Sequence, residues 1–296
     1  MTLDDEQFVK AIDLWESFKE ELVYRNRFIV NHEILEYLKL FSQKNQLYLD
    51  KDKILYRARI YTGDLDYIKY INSDFNCEQL GEADHIRMLQ GKHNIDSRRV
   101  NGFWGYGKDD SFVPTDNDCI SDGRTNPAFI KYLYTAEDPY TALVEVRPYL
   151  ESKVSVAEIL INEPISVADF SYDTYENFEG FEQILILIIM HDFSKPNNSK
   201  SKNYIATQYI AEFIKSLGFG GIKFNSSLYK IGRNITIFSY DKCQPVSSRL
   251  YEIEDICFET KVIAPKDQRN LAHYKLNKLR EYQKKEAKPL LKNPFI

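Results

Sequence analysis

Residues 123–146, GRTNPAFIKYLYTAEDPYTALVEV, decide the fold class that the sequence predicts. The glycine and proline of the first five residues predict a turn, and the largely apolar run Lys131–Thr135 predicts a buried strand. Asp138 and Pro139 then mark the start of a helix, because aspartate caps free N–H groups and proline is tolerated in the first turn. Pro148 ends this helix. A turn, a strand and a short helix therefore follow one another directly.

The chain on either side of this stretch predicts an α+β fold. Residues 6–47 contain no glycine or proline and repeat apolar residues at helical spacing, which predicts a helical hairpin or a fragment of a helical bundle. Further helices are predicted over 178–191 and 204–217, the second closed by Gly218, and strands over 54–60, 154–170, 221–224, 234–238 and 249–264. A long irregular stretch covers 63–126, and a polar loop covers 197–202. We expect three parts, namely an N-terminal helical segment over 1–50, a main domain over 51–264 and a charged helical tail over 265–296.

The composition limits the partners that the chain can have. Lys and Arg total 39 against 44 Asp and Glu, a net charge of −5, whereas nucleic-acid binders usually carry a basic excess. The four cysteines and five histidines show no zinc-ligand spacing. The N-terminus lacks the pattern of a signal peptide, and the strongest apolar run, Ile184–Met190, is too short to cross a bilayer. We expect a soluble cytoplasmic protein with no metal and no membrane or nucleic-acid partner.

Polar residues in apolar surroundings are the candidates for chemistry. Arg57 lies within the predicted strand 54–60, so it needs either an internal carboxylate or an anionic ligand. Glu145 stands among leucine and valine residues, so it is either partnered or functional. Taken singly, Tyr134 is more simply a core aromatic and Ser226 a turn former. The significance of these residues therefore depends on whether they belong together.

Read in order, these segments resemble the RES domain, which is named for its arginine, glutamate and serine. The resemblance rests on Gly-Arg-x-Asn at 123–126, Tyr-Thr-Ala-x-x-x-x-Thr-Ala-Leu-Val-Glu at 134–145 and Gly-Phe-x-Gly-Ile at 218–222, and it covers roughly residues 54–240. RES proteins include toxins of toxin–antitoxin pairs that degrade NAD⁺ by hydrolysis or phosphorolysis. Their fold is similar to that of diphtheria-type ADP-ribosyltransferases. The resemblance therefore implies an ADP-ribosyltransferase-like mixed β core with flanking helices.

The resemblance also implies a catalytic set. Arg57 matches the strand arginine that holds the NAD⁺ phosphates, with Arg59 as the alternative for that task. Glu145 matches the family glutamate, and Ser226 matches the family serine. Because phenylalanine stands at position 224, where tyrosine is commoner in the family, Ser227 is the alternative to Ser226.

Further residues are implied to bind NAD⁺ without taking part in the chemical step. Arg124 in the Gly-Arg-x-Asn turn would be the second cationic contact, and Tyr134 would stack on or border the nicotinamide. The complete implied set of binding residues is Arg124, Asn126, Tyr134, Ser227 and Asn234.

The function that the resemblance implies is cleavage of the nicotinamide–ribose bond of NAD⁺, which would deplete NAD⁺ and arrest growth. NAD⁺ would then be a substrate and not a resident cofactor, with water or inorganic phosphate as the acceptor. A protein antitoxin or inhibitor is the implied partner, and the amphipathic end segments allow assembly into a homo-oligomer. Two alternatives stay open. One is a protein ADP-ribosyltransferase with the same NAD⁺ site, and the other is a non-catalytic interaction protein on a RES scaffold.

Overall fold

The structure of the chain, a computed structural model, describes residues 3–62, 102–172, 180–194 and 204–256. Its α-helices are α1 (Leu3–Glu20), α2 (Ile34–Lys44), α3 (Pro139–Glu145), α4 (Phe181–Ser194) and α5 (Ile205–Ser216). A π-helical turn follows α1 at Glu21–Arg25. The strands are β1 (Gln46–Leu49), β2 (Ile54–Ile60), β3 (Gly102–Phe103), β4 (Leu133–Ala136), β5 (Lys153–Ile161), β6 (Ile165–Phe170), β7 (Gly221–Asn225), β8 (Arg233–Ile237) and β9 (Cys243–Glu252).

The predicted α+β class, with a mixed β core, flanking helices and an N-terminal helical segment, is confirmed. Several predicted boundaries are wrong. The last strand ends at Glu252 and not at 264, and the helix predicted to end at 191 continues to Ser194. Residues 46 and 47 were expected in a helix, but they belong to β1, which pairs antiparallel with the distant strand β6. The last strand begins at Cys243, six residues before the predicted start at 249, because β5 offers pairing partners as far as Ile161. The predicted tail over 265–296, the loop over 197–202 and residues 63–101 of the irregular stretch lie outside the described residues.

The nine strands of the described residues form one mixed sheet in the order β1-β6-β7-β8-β4-β2-β5-β9-β3. Most neighbours are antiparallel, whereas β6 and β7 run parallel, as do β3 and β9. The middle of the sheet is weakly joined. Strand β2 pairs with β5 along its whole length, but with β4 only at Tyr56 and Ala136. The hydrogen-bonded ladder is therefore nearly interrupted between one half-sheet, β1-β6-β7-β8-β4, and another, β2-β5-β9-β3.

The N-terminal helices share a hydrophobic core with the rest of the fold. Trp15 and Phe18 of α1 are fully buried and pack in one cluster with residues of α4, α5, β6 and β7. The indole Nε1 of Trp15 also donates a hydrogen bond to the Asp192 carboxylate at 2.6 Å. Helix α1 is therefore fixed to α4 by both apolar packing and a polar contact. None of the described helices is both long and apolar enough to cross a membrane.

Helix α3 covers one side of β2. Three alternate residues of β2, Tyr56, Ala58 and Ile60, pack with Leu143, Val144 and Val146 on and just after α3. Because side chains alternate across a strand, Arg57 and Arg59 extend from the other side of β2. This alternation decides which of the predicted site residues share a face.

Replacing Trp15 with alanine should destabilise the whole fold and not only the N-terminal segment. The change removes a fully buried indole from the shared core, which should lower the free energy of unfolding by about 3–5 kcal/mol. Urea denaturation followed by circular dichroism measures this loss. The exposed Phe28 provides the control, since Phe28→Ala should change stability by less than about 0.5 kcal/mol. A loss below about 1 kcal/mol for Trp15→Ala would show that α1 is not part of the cooperative core.

Candidate active site

A carboxylate held by two hydrogen bonds forms the centre of the candidate site. Glu145 is the last residue of α3, and its Oε1 accepts a hydrogen bond from the Ser226 hydroxyl at 2.6 Å. The same oxygen accepts a second bond from the Asn234 side-chain amide at 2.7 Å. Glu145 is half-buried, whereas Ser226 and Asn234 are each only 7% exposed. Three residues predicted from separate motifs therefore meet at one carboxylate.

Helix α3 begins where the sequence predicts, and this start determines where Glu145 lies. Asp138 is the N-cap, and its carboxylate accepts a hydrogen bond from the Thr141 backbone N–H at 2.8 Å. Pro139 occupies the first turn, where a missing N–H costs nothing. The helix then runs for seven residues and ends at Glu145. This short capped helix therefore starts near the end of β4 and places the carboxylate beside the end of β7 and the start of β8.

The hydroxyl of Ser226 is oriented by the turn that joins β7 to β8. Its Oγ accepts hydrogen bonds from the backbone N–H groups of Leu228 at 3.2 Å and Tyr229 at 3.1 Å. With its acceptor capacity used by the turn, the hydroxyl directs its own proton to Glu145. The neighbouring Ser227 behaves differently, because its Oγ is buried and has no hydrogen-bond partner in the described structure. Of the two serines proposed from the sequence, Ser226 is the one that contacts Glu145.

The turn between β7 and β8 packs directly on α3. A Cβ added to Gly232 would lie 2.4 Å from Thr141 Oγ1, so only glycine allows this approach. Asn234 follows two residues later and lies opposite Phe224 on one side and Ala136 on the other. The close packing at Gly232 and the strand register together place the Asn234 amide beside the end of α3.

Tyr134 and Asn126 form a second, tightly bonded group. The Tyr134 hydroxyl accepts hydrogen bonds from the Thr125 N–H at 2.9 Å and Oγ1 at 2.8 Å, and it donates to Asn126 Oδ1 at 2.7 Å. The amide of Asn126 donates in turn to the carbonyls of Ser121 and Pro127. Burial raises the pKa of Tyr134, so its hydroxyl stays neutral and can donate. In the described structure both residues use their polar atoms to hold the Gly-Arg-x-Asn turn.

Arg124 connects this turn with the strand beside Asn234. Its guanidinium Cζ lies 5.7 Å from the centre of the Phe224 ring, and Phe224 pairs with Asn234 across β7 and β8. Helix α5 fixes the turn from outside, since Thr207 Oγ1 donates to the Arg124 carbonyl at 2.7 Å and Gln208 donates to the Gly123 carbonyl at 2.9 Å. The structure therefore brings Arg124 to the same part of the sheet as the Glu145 group.

Arg57 is not brought together with the Glu145 group. It extends from the side of β2 opposite α3, and no described hydrogen bond or salt bridge joins it to Glu145, Ser226 or Asn234. Its Nη1 is buried without a hydrogen-bond partner. Burial and the neighbouring Arg59 together lower the pKa of Arg57 to about 10.

Asn225 is a structural contributor that the sequence reading missed. Its side-chain amide donates to the Tyr172 carbonyl at 2.8 Å and accepts from the Tyr172 N–H at 2.9 Å. It thereby ties the end of β7, one residue before Ser226, to the chain that follows β6. An asparagine at the end of a strand reads as an ordinary turn residue, so the sequence carries no signal for this bridge.

A polar cavity of about 450 Å³ lies on the other side of β7 and β8. Its lining includes Lys223 and Arg233, which precede Phe224 and Asn234 in the chain and so face the opposite side of the sheet. Lys223 forms salt bridges with Glu137 at 3.2 Å and with Asp169 at 3.7 Å. None of the predicted site residues lines this cavity. Within the described residues, no group of three or more His, Cys, Asp or Glu could hold a metal ion.

The motifs that meet at Glu145 are those of a known family. The family model described as the RES domain matches residues 104–257, just over half of the chain. The chain belongs to the RES-domain family. The matched span of the RES domain contains Arg124, Tyr134, Glu145 and Ser226, whereas Arg57 lies before it. The role of Arg57 therefore rests on the sequence resemblance alone.

Comparison with solved structures gives three matching chains. One is from the crystal structure of the M. tuberculosis MbcT-MbcA toxin-antitoxin complex, at 12% sequence identity and a TM-score of 0.38. The match covers 74% of this chain and 92% of that chain. A similarity of this extent is too low to carry a function from one protein to the other. No curated protein matches the chain.

Replacing Tyr134 with phenylalanine should destabilise the RES domain through lost hydrogen bonds, since the ring remains. The change leaves Asn126 Oδ1 and the Thr125 N–H without their partner in a buried setting, which should cost about 1–3 kcal/mol. Thermal and urea unfolding measure the difference. Tyr149→Phe is the matched control, because Tyr149 is 66% exposed and should tolerate the change. Equal stability of the two variants would contradict a structural role for the Tyr134 hydroxyl.

Proposed function

We propose that the RES domain cleaves the nicotinamide–ribose bond of NAD⁺. The observation that carries this proposal is the unequal hydrogen bonding of the two oxygens of the Glu145 carboxylate. Ser226 and Asn234 both donate to Oε1, whereas no described residue donates a hydrogen bond to Oε2. One oxygen is thus used to fix the carboxylate, and the other is free to accept a hydrogen bond from a ligand. This is the arrangement expected of a carboxylate that acts on a substrate from a fixed position.

The chemistry requires little more than a well-placed negative charge. Nicotinamide is a cationic leaving group in NAD⁺, so it departs with the bonding electron pair and needs no general acid. The ribose then develops oxocarbenium character, which a fixed carboxylate stabilises electrostatically and by holding a ribose hydroxyl. Water attacks the anomeric carbon and loses a proton, which gives ADP-ribose. If inorganic phosphate attacks instead, the product is ADP-ribose 1″-phosphate.

In this proposal the Arg124 turn forms the nicotinamide end of the site. Arg124 lies over Phe224 beside Asn234, and it would provide the cationic contact nearest to Glu145. Tyr134 borders this region, although its hydroxyl is already bonded within the turn. Its ring, and not its hydroxyl, would then be the part that contacts the nicotinamide.

Arg57 enters the proposal as a phosphate contact at the far end of the substrate. A dinucleotide that reaches both Glu145 and Arg57 has to pass from one side of β2 to the other. We place this passage beyond the Tyr56–Ala136 pair, where no further pairing between β2 and β4 is described. The proposal therefore puts the substrate between the two half-sheets, with the chemistry at the end of α3.

Growth arrest through loss of NAD⁺, and control by a protein antitoxin, are the cellular part of the proposal. They come from the resemblance of the chain to the toxins of its family. Induced expression of the intact chain in bacteria should lower cellular NAD⁺ before growth stops, and Glu145→Gln should prevent both effects.

The decisive measurement is NAD⁺ consumption by the purified protein and its Glu145→Gln variant. We expect the variant to lose at least about a hundredfold in kcat, because the amide keeps the shape of the side chain but removes the charge. Chromatography of the products, with and without phosphate, identifies the acceptor. Glu163→Gln is the control, since Glu163 is 68% exposed and forms only a surface ion pair.

Two other outcomes would count against the proposal. Unchanged turnover in Glu145→Gln would show that the Glu145 carboxylate is not the catalytic group. Absence of turnover in the folded wild type, together with transfer of ADP-ribose to a protein, would favour the transferase alternative.

A comparison of two serine variants tests which hydroxyl serves the site. Ser226→Ala removes the donor to Glu145 and the acceptor of the Leu228 and Tyr229 N–H groups, so it should lower kcat by about tenfold or more. Ser227→Ala removes a hydroxyl that makes no hydrogen bond in the described structure, so it should change kcat much less. Steady-state kinetics of both variants gives the answer, and a larger loss in Ser227→Ala would reverse the assignment.

A further inference from the structure

Two arginines stand side by side on β2, and no carboxylate among the described residues pairs with either of them. Arg57 and Arg59 extend from the side of β2 opposite α3, two residues apart on one strand. Neither forms a salt bridge in the described part of the chain, and the charge that acts on Arg57 is that of Arg59. Two like charges at this spacing, one of them with a buried unpartnered Nη1, raise the free energy of the unliganded fold. An anion between them would remove that cost.

The position of Arg59 is fixed by an aromatic platform. Its guanidinium Cζ lies 5.1 Å from the centre of the Tyr106 ring, and its Nη1 donates to the Asp110 carbonyl at 2.5 Å. A guanidinium has five N–H donors, so most of them are left for a ligand. Arg59 is thus held in place by a ring face and one carbonyl, neither of which neutralises its charge.

The platform itself is rigidly attached to the sheet. The Tyr106 hydroxyl donates to the Ile60 carbonyl at 3.2 Å and accepts from the Thr62 N–H at 3.0 Å. Its backbone N–H donates to Ser155 Oγ at 2.9 Å, and its carbonyl accepts from Ser248 Oγ at 2.8 Å. Strands β5 and β9 therefore position Tyr106 beneath Arg59.

We propose that Arg59, supported by Tyr106, is a second anion-binding residue beside Arg57 and that the pair recognises a diphosphate in preference to a single phosphate. The inference rests on the proposed function for the identity of the ligand, a nicotinamide dinucleotide. Two guanidiniums on alternate residues of a strand match two linked phosphoryl groups, each of which accepts charge-assisted hydrogen bonds. Tyr106 is a positioning residue here, because it acts on the ligand only through Arg59.

The test is the affinity for ADP-ribose, which has a diphosphate, compared with AMP, which has one phosphate. Calorimetry compares the full-length wild type with its Arg59→Gln variant. The variant should bind ADP-ribose about tenfold or more weakly than the wild type, and its affinity for AMP should fall much less. In turnover assays the same variant should raise KM for NAD⁺ and leave kcat within about twofold, because Arg59 does not contact the reacting atoms. Arg25→Gln is the matched control, since Arg25 is 75% exposed on the N-terminal segment.

Substitutions at Tyr106 separate positioning of Arg59 from general support of the fold. Tyr106→Phe keeps the ring beneath Arg59 and loses only the hydroxyl contacts, so it should keep most of the affinity for ADP-ribose. Tyr106→Leu removes the ring and should weaken binding nearly as much as Arg59→Gln. If phenylalanine is as damaging as leucine, the hydroxyl supports the fold and Tyr106 does not position Arg59.

Failure of this inference can be told apart from failure of the proposed function. ADP-ribose binding that depends on Arg59, in a protein that does not cleave NAD⁺, would support the diphosphate site and overturn the NAD⁺-cleaving function. NAD⁺ cleavage with ADP-ribose affinity unchanged within twofold in Arg59→Gln would overturn the diphosphate site alone. Equal losses for AMP and ADP-ribose would overturn the preference for a diphosphate, and no binding of ADP-ribose or inorganic pyrophosphate by the wild type would overturn the site.

Discussion

The paired hydrogen bonds to Glu145 Oε1 are the constraint on which the rest of the site depends. A carboxylate at the end of an apolar helix has to be satisfied, and its donors come from residues 81 and 89 positions away in the chain. These bonds hold α3 against the end of β7 and the start of β8. The close packing of Gly232 on Thr141 strengthens the same junction. One interaction thus unites the helix that carries the charge with the strands that orient it.

The short ladder between β2 and β4 matters as much as the two hydrogen bonds to Glu145. A continuous ladder would join Tyr134 on β4 with Arg57 on β2 through paired strands, whereas the described ladder between these strands has a single pair, Tyr56 and Ala136. The two faces of the sheet have separate cores, and the core on the side of Leu55 and Leu133 contains residues of both half-sheets. The two halves therefore stay packed together on this face although their ladder is nearly interrupted.

Local signals in the sequence were sufficient to predict those parts of the site whose structure depends on residues adjacent in the chain. Asp138 and Pro139 predicted the start of α3, and Gly218, at φ +94°, closes α5 as expected. The ordered motifs also predicted the residues that meet at Glu145. The side of β2 from which Arg57 extends could not be predicted, because it depends on which face α3 covers. The strand at residues 46–49 was missed for a related reason, since its pairing partner β6 is more than a hundred residues away.

The arginines of β2 differ from two lysines, Lys53 and Lys223, that the same fold pairs with carboxylates. Lys223 contacts both Glu137 and Asp169, and Lys53 reaches Glu137 at 3.4 Å. Among the described residues, Arg59 contacts a ring and a carbonyl, and the buried Nη1 of Arg57 has no hydrogen-bond partner. Stability alone would favour an apolar residue or a carboxylate partner at such a position, because an unpaired buried charge lowers the stability of the folded state. A locally unfavourable arrangement held by a rigid frame is what a binding site for an anion requires, since the ligand then supplies the missing charge.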